Sequence, residues 1–226
     1  MSALNVIVRC DAAHLITDAA GCVAGRLLAL TPKTFLYPHL GIAAGFRGHI
    51  GVMRSLSFLL GQYPDRVAMV RGLPHDFRRE YRFRRKLLPS VFDFDIGIIG
   101  FDGRPFGWLF SSVDRPGFPA FRLNEATAYF SPTAGDEATE RAADLISEDN
   151  VDEAALAVLD GQRLAQDVVV GGYAQITSVD EDGINTRLLC RWSDERGKVV
   201  DRSTGRVVAV KPSVTSRPIQ RDWRAA

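Results

Sequence analysis

Apolar positions in the first fifty residues fall in runs too short for helices. Leu4-Asn5-Val6-Ile7-Val8 comes first, a turn at Cys10-Asp11-Ala12 follows, and His14-Leu15-Ile16-Thr17 stops at Asp18. Lys33-Thr34-Phe35-Leu36-Tyr37 and Gly41-Ile42-Ala43-Ala44-Gly45 come next, after a loop. Gly, Pro and Asp divide the four segments, which predicts two successive antiparallel hairpins. Beyond Gly48 the period changes. Ile50, Val52, Met53, Leu56, Leu59 and Leu60 recur at helical spacing and predict a helix from about 49 to 63, with Pro64 as its stop. A second helix is expected from Pro74-His75-Asp76 to just before Pro89, with Phe77, Tyr81, Leu87 and Leu88 as its inward stripe.

The rest of the chain alternates strand runs with a helix pair. Residues 92–101 and 105–111, joined by Asp102-Gly103, read as a strand hairpin, and 116–123 as a further strand. Helices are expected over 136–147 and 151–166, the second with Ala154, Ala155, Ala157, Val158 and Leu164 in the core. Both carry carboxylates in the first turn (Asp136 and Glu137, Asp152 and Glu153), which suits the helix dipole. Strands over 173–179 and 184–192 follow. An appended hairpin over 198–210 and an extended tail over 211–226 close the chain. Such an order does not suit a parallel βαβ sheet. It suits an α+β fold of two stacked antiparallel sheets with a helix pair on each outer side.

Composition narrows the picture. A chain of 226 residues, 46% hydrophobic, can bury one good core. The net charge of +1 gives no overall attraction to nucleic acid or membrane. Three cysteines without metal-ligand spacing favour buried thiols in a reducing, cytoplasmic setting, and no apolar run approaches the roughly 18 residues of a membrane span. The four histidines form no metal or Ser–His–Asp pattern, so neither metal nor cofactor is expected. The basic run Arg78, Arg79, Arg82, Arg84, Arg85 and Lys86 has two readings. It is a nucleic-acid or acidic-partner surface, or a solvated helix face that can meet a neighbouring subunit. The second is the expected one, and nucleic acid is not the expected partner.

Candidate chemistry lies at the chain start. A small second residue normally permits removal of Met1, which would give Ser2 a free α-amine beside its hydroxyl, a nucleophile and a base in one residue. Ser2 opens the first strand, Asp18 ends the second, Lys33 precedes Thr34-Phe35, and Gly45-Phe46-Arg47-Gly48 leads from the fourth strand into a helix. In this order and spacing the opening stretch resembles a proteasome β-type subunit of the N-terminal-nucleophile hydrolases. The resemblance covers residues 2–192, so the expected organisation is one domain over 1–192 and an appendage over 193–226. It implies a four-layer αββα sandwich and a homo-oligomer, with a ring as one arrangement.

The same resemblance implies an amide or peptide hydrolase. Ser2 would attack the substrate carbonyl, Lys33 would lower the basicity of the α-amine, and Asp18 would pair with Lys33. Gly45 would offer its N–H to the tetrahedral oxygen, and Asp167 would support the nucleophile. The sequence also departs from the family. Ala3 stands where a second Thr is usual, Ala20 replaces the Arg two residues after Asp18, and His49 replaces an Asp after the Gly-x-x-Gly. The loop Thr133-Ala134-Gly135 carries no Ser, and Val168-Val169-Val170 follows Asp167 without the usual hydroxyl. These losses carry the alternative, a catalytically inactive proteasome-like subunit that builds an assembly.

Overall fold

A computed structural model describes residues 2–87, 93–165, 169–203 and 205–209. The opening segments form β1 (Leu4–Val8) and β2 (Ala13–Asp18), antiparallel with Leu4 opposite Thr17. The stretch between Asp18 and Lys33, expected as a loop, is instead a two-stranded hairpin, β3 (Ala20–Val23) and β4 (Arg26–Leu30). Its turn is Ala24-Gly25, both with positive φ, the conformation that suits a tight hairpin. Then come β5 (Thr34–Tyr37) and β6 (Ile42–Arg47), with Thr34 opposite Gly45.

The first helix, α1 (Ile50–Leu60), is capped by His49, whose Nδ1 accepts the Gly51 N–H at 3.1 Å. The second, α2 (Arg66–Leu87), starts eight residues earlier than Pro74 suggested and carries that proline inside it. An interior proline removes a backbone hydrogen bond and costs about 3 kcal/mol in an isolated helix. Here Met69, Leu73, Phe77 and Tyr81, four residues apart, form one buried stripe that runs straight through it. Leu87, expected inward, is exposed, and Leu88 lies outside the described residues.

The remaining elements are β7 (Asp95–Phe101), β8 (Pro105–Ser111), β9 (Asn124–Glu125), β10 (Ala128–Ser131), α3 (Asp136–Ser147), α4 (Val151–Leu164), β11 (Tyr173–Asp180), β12 (Gly183–Trp192) and β13 (Arg206–Ala209). Residues 116–123, expected as a strand, are irregular apart from a single bridge between Arg115 and Phe118, in a stretch broken by Pro116, Gly117 and Pro119. On α4 the core positions are Ala154, Ala155, Leu156, Val158 and Leu159, whereas Leu164 is exposed. The expected terminal hairpin is not free-standing: β13 pairs with β12, and Val199 bridges to Arg26.

The fold is mixed α+β, with antiparallel sheets and four α-helices among the described residues. One sheet has the order β10-β1-β2-β11-β12-β13, the other β5-β6-β7-β8-β9. Strand alternation sorts their side chains. Leu4, Val6, Ala13 and Leu15 of the first sheet meet Ala43 and Ile99 of the second. From the first sheet's other face Ala3, Ile7 and Ile16 meet Ala155, Leu156 and Leu159 of α4. The second sheet turns Ile42, Ala44, Phe46, Ile96 and Ile98 toward α1 and α2. β1 and β2 are therefore buried on both sides, which explains why their sequence runs lack regular polar alternation. Among the described residues no helix is long and apolar enough to cross a membrane.

Glycines let the two sheets approach. A Cβ on Gly107 would stand 2.6 Å from the Ala126 carbonyl oxygen and 2.7 Å from Val8 Cγ2. Backbone and a stiff β-branched side chain cannot yield as a flexible side chain would. Gly107→Ala is expected to destabilise the protein by about 1–3 kcal/mol in denaturant unfolding, the usual cost of overpacking.

Candidate active site

Register brings Asp18 to the Ser2–Ala3 peptide. With Leu4 opposite Thr17, the next position outward sets Ala3 against Asp18. The Ala3 N–H donates to Asp18 Oδ1 at 2.9 Å. Lys33, immediately before β5, reaches the same oxygen through Nζ at 2.6 Å. Asp18 Oδ2 accepts the N–H groups of Ala20 and Gly171, each at 3.1 Å. Four donors thus meet one carboxylate that has about four acceptor directions. The Asp18 side chain is 0% exposed, that of Lys33 6%, and Ser2 is buried above them. Burial pulls the Lys33 ammonium below its ordinary lysine range, and the Asp18 charge opposes that fall. An ammonium held this way is a cation that gives up its proton more readily than a solvated lysine.

A second charged group closes on Ser2 from the other sheet. Arg47, the last residue of β6, donates through Nε to the Ser2 carbonyl oxygen at 3.0 Å. Its terminal NH1 donates to Asp95 Oδ2 at 2.8 Å. Asp95 is fully buried and also accepts from Ser111 Oγ at 2.7 Å and from Arg115 at 3.0 and 3.2 Å. These residues were not among those expected from the sequence. A signal was present, since Arg47 and Asp95 are charged residues in otherwise apolar strands, and buried charges require partners. Their pairing shows only in the register, where Arg47 stands opposite Asp95 and Asp95 opposite Ser111.

Gly45 does not take the expected place. Phe46 N–H donates to the Lys33 carbonyl, so by the alternation of an antiparallel ladder the Gly45 N–H faces the other way, toward Gly97 of β7. It serves the sheet and is not directed at Ser2. A Cβ there would come within 2.9 Å of Leu4 Cδ1 and 3.0 Å of Leu15 Cδ2, so this glycine answers to inter-sheet packing. Asp167 lies outside the described residues. Gly171, close after it in sequence, supplies a main-chain donor to Asp18 that side-chain motifs could not announce.

Other reactive groups lie apart from this cluster or are muted. Cys10 is exposed. Cys22, half-buried, lies within electrostatic reach of Lys33 and Asp18, and burial raises its thiol above the ordinary cysteine range. Burial likewise pushes the Cys190 thiol up to about 11. His14 is buried beside Ser178 Oγ at 2.9 Å, and burial lowers its basicity. Among the described residues no three His, Cys, Asp or Glu side chains converge as metal ligands. The basic run lies on α2, where His75, Arg78, Arg79, Arg82, Phe83 and Lys86 line a shallow groove of about 360 Å³. Several of its cations are already engaged: Arg79 with Asp76, Arg84 with Glu80, and Arg78 over the Phe121 ring.

The Asp18–Lys33 pair generates a stability test. Removing one partner leaves the other charge buried and uncompensated, which costs about 3–5 kcal/mol. Asp18→Asn and Lys33→Met are each expected to lower unfolding stability by that order. The double variant is expected to cost clearly less than the sum, as a denaturant double-mutant cycle would show.

No protein-family model and no curated protein sequence matches the chain, so what the site can do rests on its own geometry.

Proposed function

We propose that the chain is a proteasome-like N-terminal-nucleophile hydrolase that cleaves peptide or other amide bonds through Ser2 after Met1 is removed. The observation that carries this reading is the convergence of Lys33 and the Ala3 N–H on one buried Asp18 oxygen, at the peptide bond that follows Ser2. The layering supports it too. Apolar contacts between the sheets, and between each sheet and the helices outside it, are those a four-layer αββα sandwich requires.

In this mechanism the neutral α-amine of Ser2 takes the hydroxyl proton as Oγ attacks the substrate carbonyl carbon. The amide C–N bond then breaks, and the leaving amine receives that proton. A water molecule attacks the resulting ester on Ser2, gives its proton to the α-amine, and releases the acid as Oγ is reprotonated. Lys33 acts through its charge: a nearby cation disfavours protonation of the amine, so more of it is neutral at a given pH. Asp18 keeps that ammonium paired and aimed.

A second reading is an inactive structural subunit of a homo-oligomer. It draws on a specific observation, that three of the four Asp18 contacts are main-chain N–H groups, which tie β1, the start of β3 and the approach to β11 together without any chemistry. The basic groove on α2 and the acidic first turns of α3 and α4 suit contacts between copies. Light scattering at low and high salt checks this: self-association is expected, weakening as salt rises. A monomer in both conditions would remove the assembly.

Treatment with a β-lactone probe, followed by intact-mass analysis and adduct mapping, separates the readings. Hydrolase activity predicts one acyl adduct on Ser2, absent from Ser2→Ala. The acylation rate should fall as pH drops through the α-amine pKa, with a midpoint below the usual value of about 8. Native protein that retains Met1, or an adduct that survives Ser2→Ala, rules the mechanism out.

A further inference from the structure

The peptide bond between Ser2 and Ala3 is gripped on both edges. Its N–H donates to Asp18 Oδ1 at 2.9 Å, and its carbonyl accepts from Arg47 Nε at 3.0 Å. In a trans peptide these two groups point in opposite directions, so the two contacts fix the plane from either side. Each gripping group is held by its own buried counter-charge, Lys33 on Asp18 and Asp95 on Arg47. The two jaws come from different places: Asp18 from the sheet that contains β1, Arg47 from the facing sheet.

The Arg47 side is built with unusual investment for a structural contact. Arg47, Asp95 and Ser111 stand opposite one another across β6, β7 and β8, forming a polar row through strands that are otherwise apolar. Arg115 adds a second guanidinium to the same carboxylate. A buried ion pair is generally no more stabilising than apolar side chains of the same volume. Stability alone therefore gives no reason for this row, whereas its contact with the Ser2 carbonyl does.

We infer that Arg47, anchored by Asp95, is a positioning residue for Ser2. It fixes the Ser2 carbonyl, and with it the plane about which the Cα–C torsion of Ser2 aims the α-amine and the Cβ–Oγ arm together. Without Arg47 the peptide can pivot about its remaining bond to Asp18. Arg47 acts here through the Ser2 carbonyl and takes no proton. This role rests on the hydrolase reading of Ser2, while the clamp itself does not.

The full chain, with the β-lactone as probe, gives two readouts: acylation kinetics divided into binding and maximal rate, and exchange of the Ala3 amide proton followed by NMR. Arg47→Gln is expected to lower the maximal acylation rate about a hundredfold, the scale of a misplaced reacting group, while probe binding stays unchanged. Its Ala3 amide should exchange faster than in the wild type. Arg47→Lys is expected to recover only part of the rate, because a single ammonium cannot reproduce the planar fork that spans Ser2 and Asp95. Arg115→Gln, at a partly exposed site that touches Asp95 and leaves Arg47 in place, should fold normally and show a smaller fall in rate. An unchanged rate in Arg47→Gln, or full recovery in Arg47→Lys, overturns the role. If Arg47→Gln does not fold, wild-type rates in both other variants overturn it, and a lowered rate in either supports it. A wild type that is never acylated at Ser2 defeats the hydrolase reading alone. Ala3 exchange then decides the clamp, and equal exchange in wild type and variant overturns it.

Discussion

The Asp18 carboxylate is a buried charge that must be satisfied where no water reaches it, and much of the fold near the chain start is arranged to do so. Its two oxygens take the N–H of Ala3, the ammonium of Lys33 and the N–H groups of Ala20 and Gly171. Those donors come from four separate stretches: the entry to β1, the start of β3, the residue before β5, and the loop before β11. A carboxylate in a low-dielectric interior is costly unless every acceptor direction is used. Each of these segments is thereby held to one place by the others. The same requirement places a cation and a fixed peptide plane beside Ser2, so the structural need and the proposed chemistry share one cause.

The segment after Trp192 adds to this bracing. Asp194, buried, pairs with Arg163 of α4 and accepts the Gly172 N–H at 2.7 Å. Arg163 also donates to the carbonyls of Val170 and Asp201. The loop that aims Gly171 at Asp18 is thus fastened to α4 on one side and to residues 194–201 on the other. Residues 194–201 thus reach the candidate site through two hydrogen-bonded steps.

Two buried ion pairs converge on the Ser2–Ala3 peptide. Asp18–Lys33 approaches from the end of β2, and Arg47–Asp95 from the end of β6. Here the entry to β1 runs between β2 and β10 and beneath the second sheet, so Ser2 and Ala3 are buried rather than frayed. That placement gives Ser2 the enclosed setting that the proposed chemistry needs.

The sequence by itself determined most of the local elements and part of the candidate site. The short apolar runs of the first fifty residues read as strands, and Ile50 to Leu60 repeats at a helical period, because these signals depend on neighbours a few residues apart. Ser2, Asp18 and Lys33 were legible because strand ends and motif order mark them. Only the tertiary structure decided the rest. Pro74 looks like a helix start until the buried stripe from Met69 to Tyr81 is seen to outweigh it. Gly45 looks like a backbone donor until the ladder turns its N–H toward β7 and the facing sheet closes on its Cα. Arg47 and Asp95 are 48 residues apart, and Gly171 is 153 residues from the carboxylate it binds. No local pattern encodes such partners, because strand register and the stacking of two sheets are set by the whole core at once.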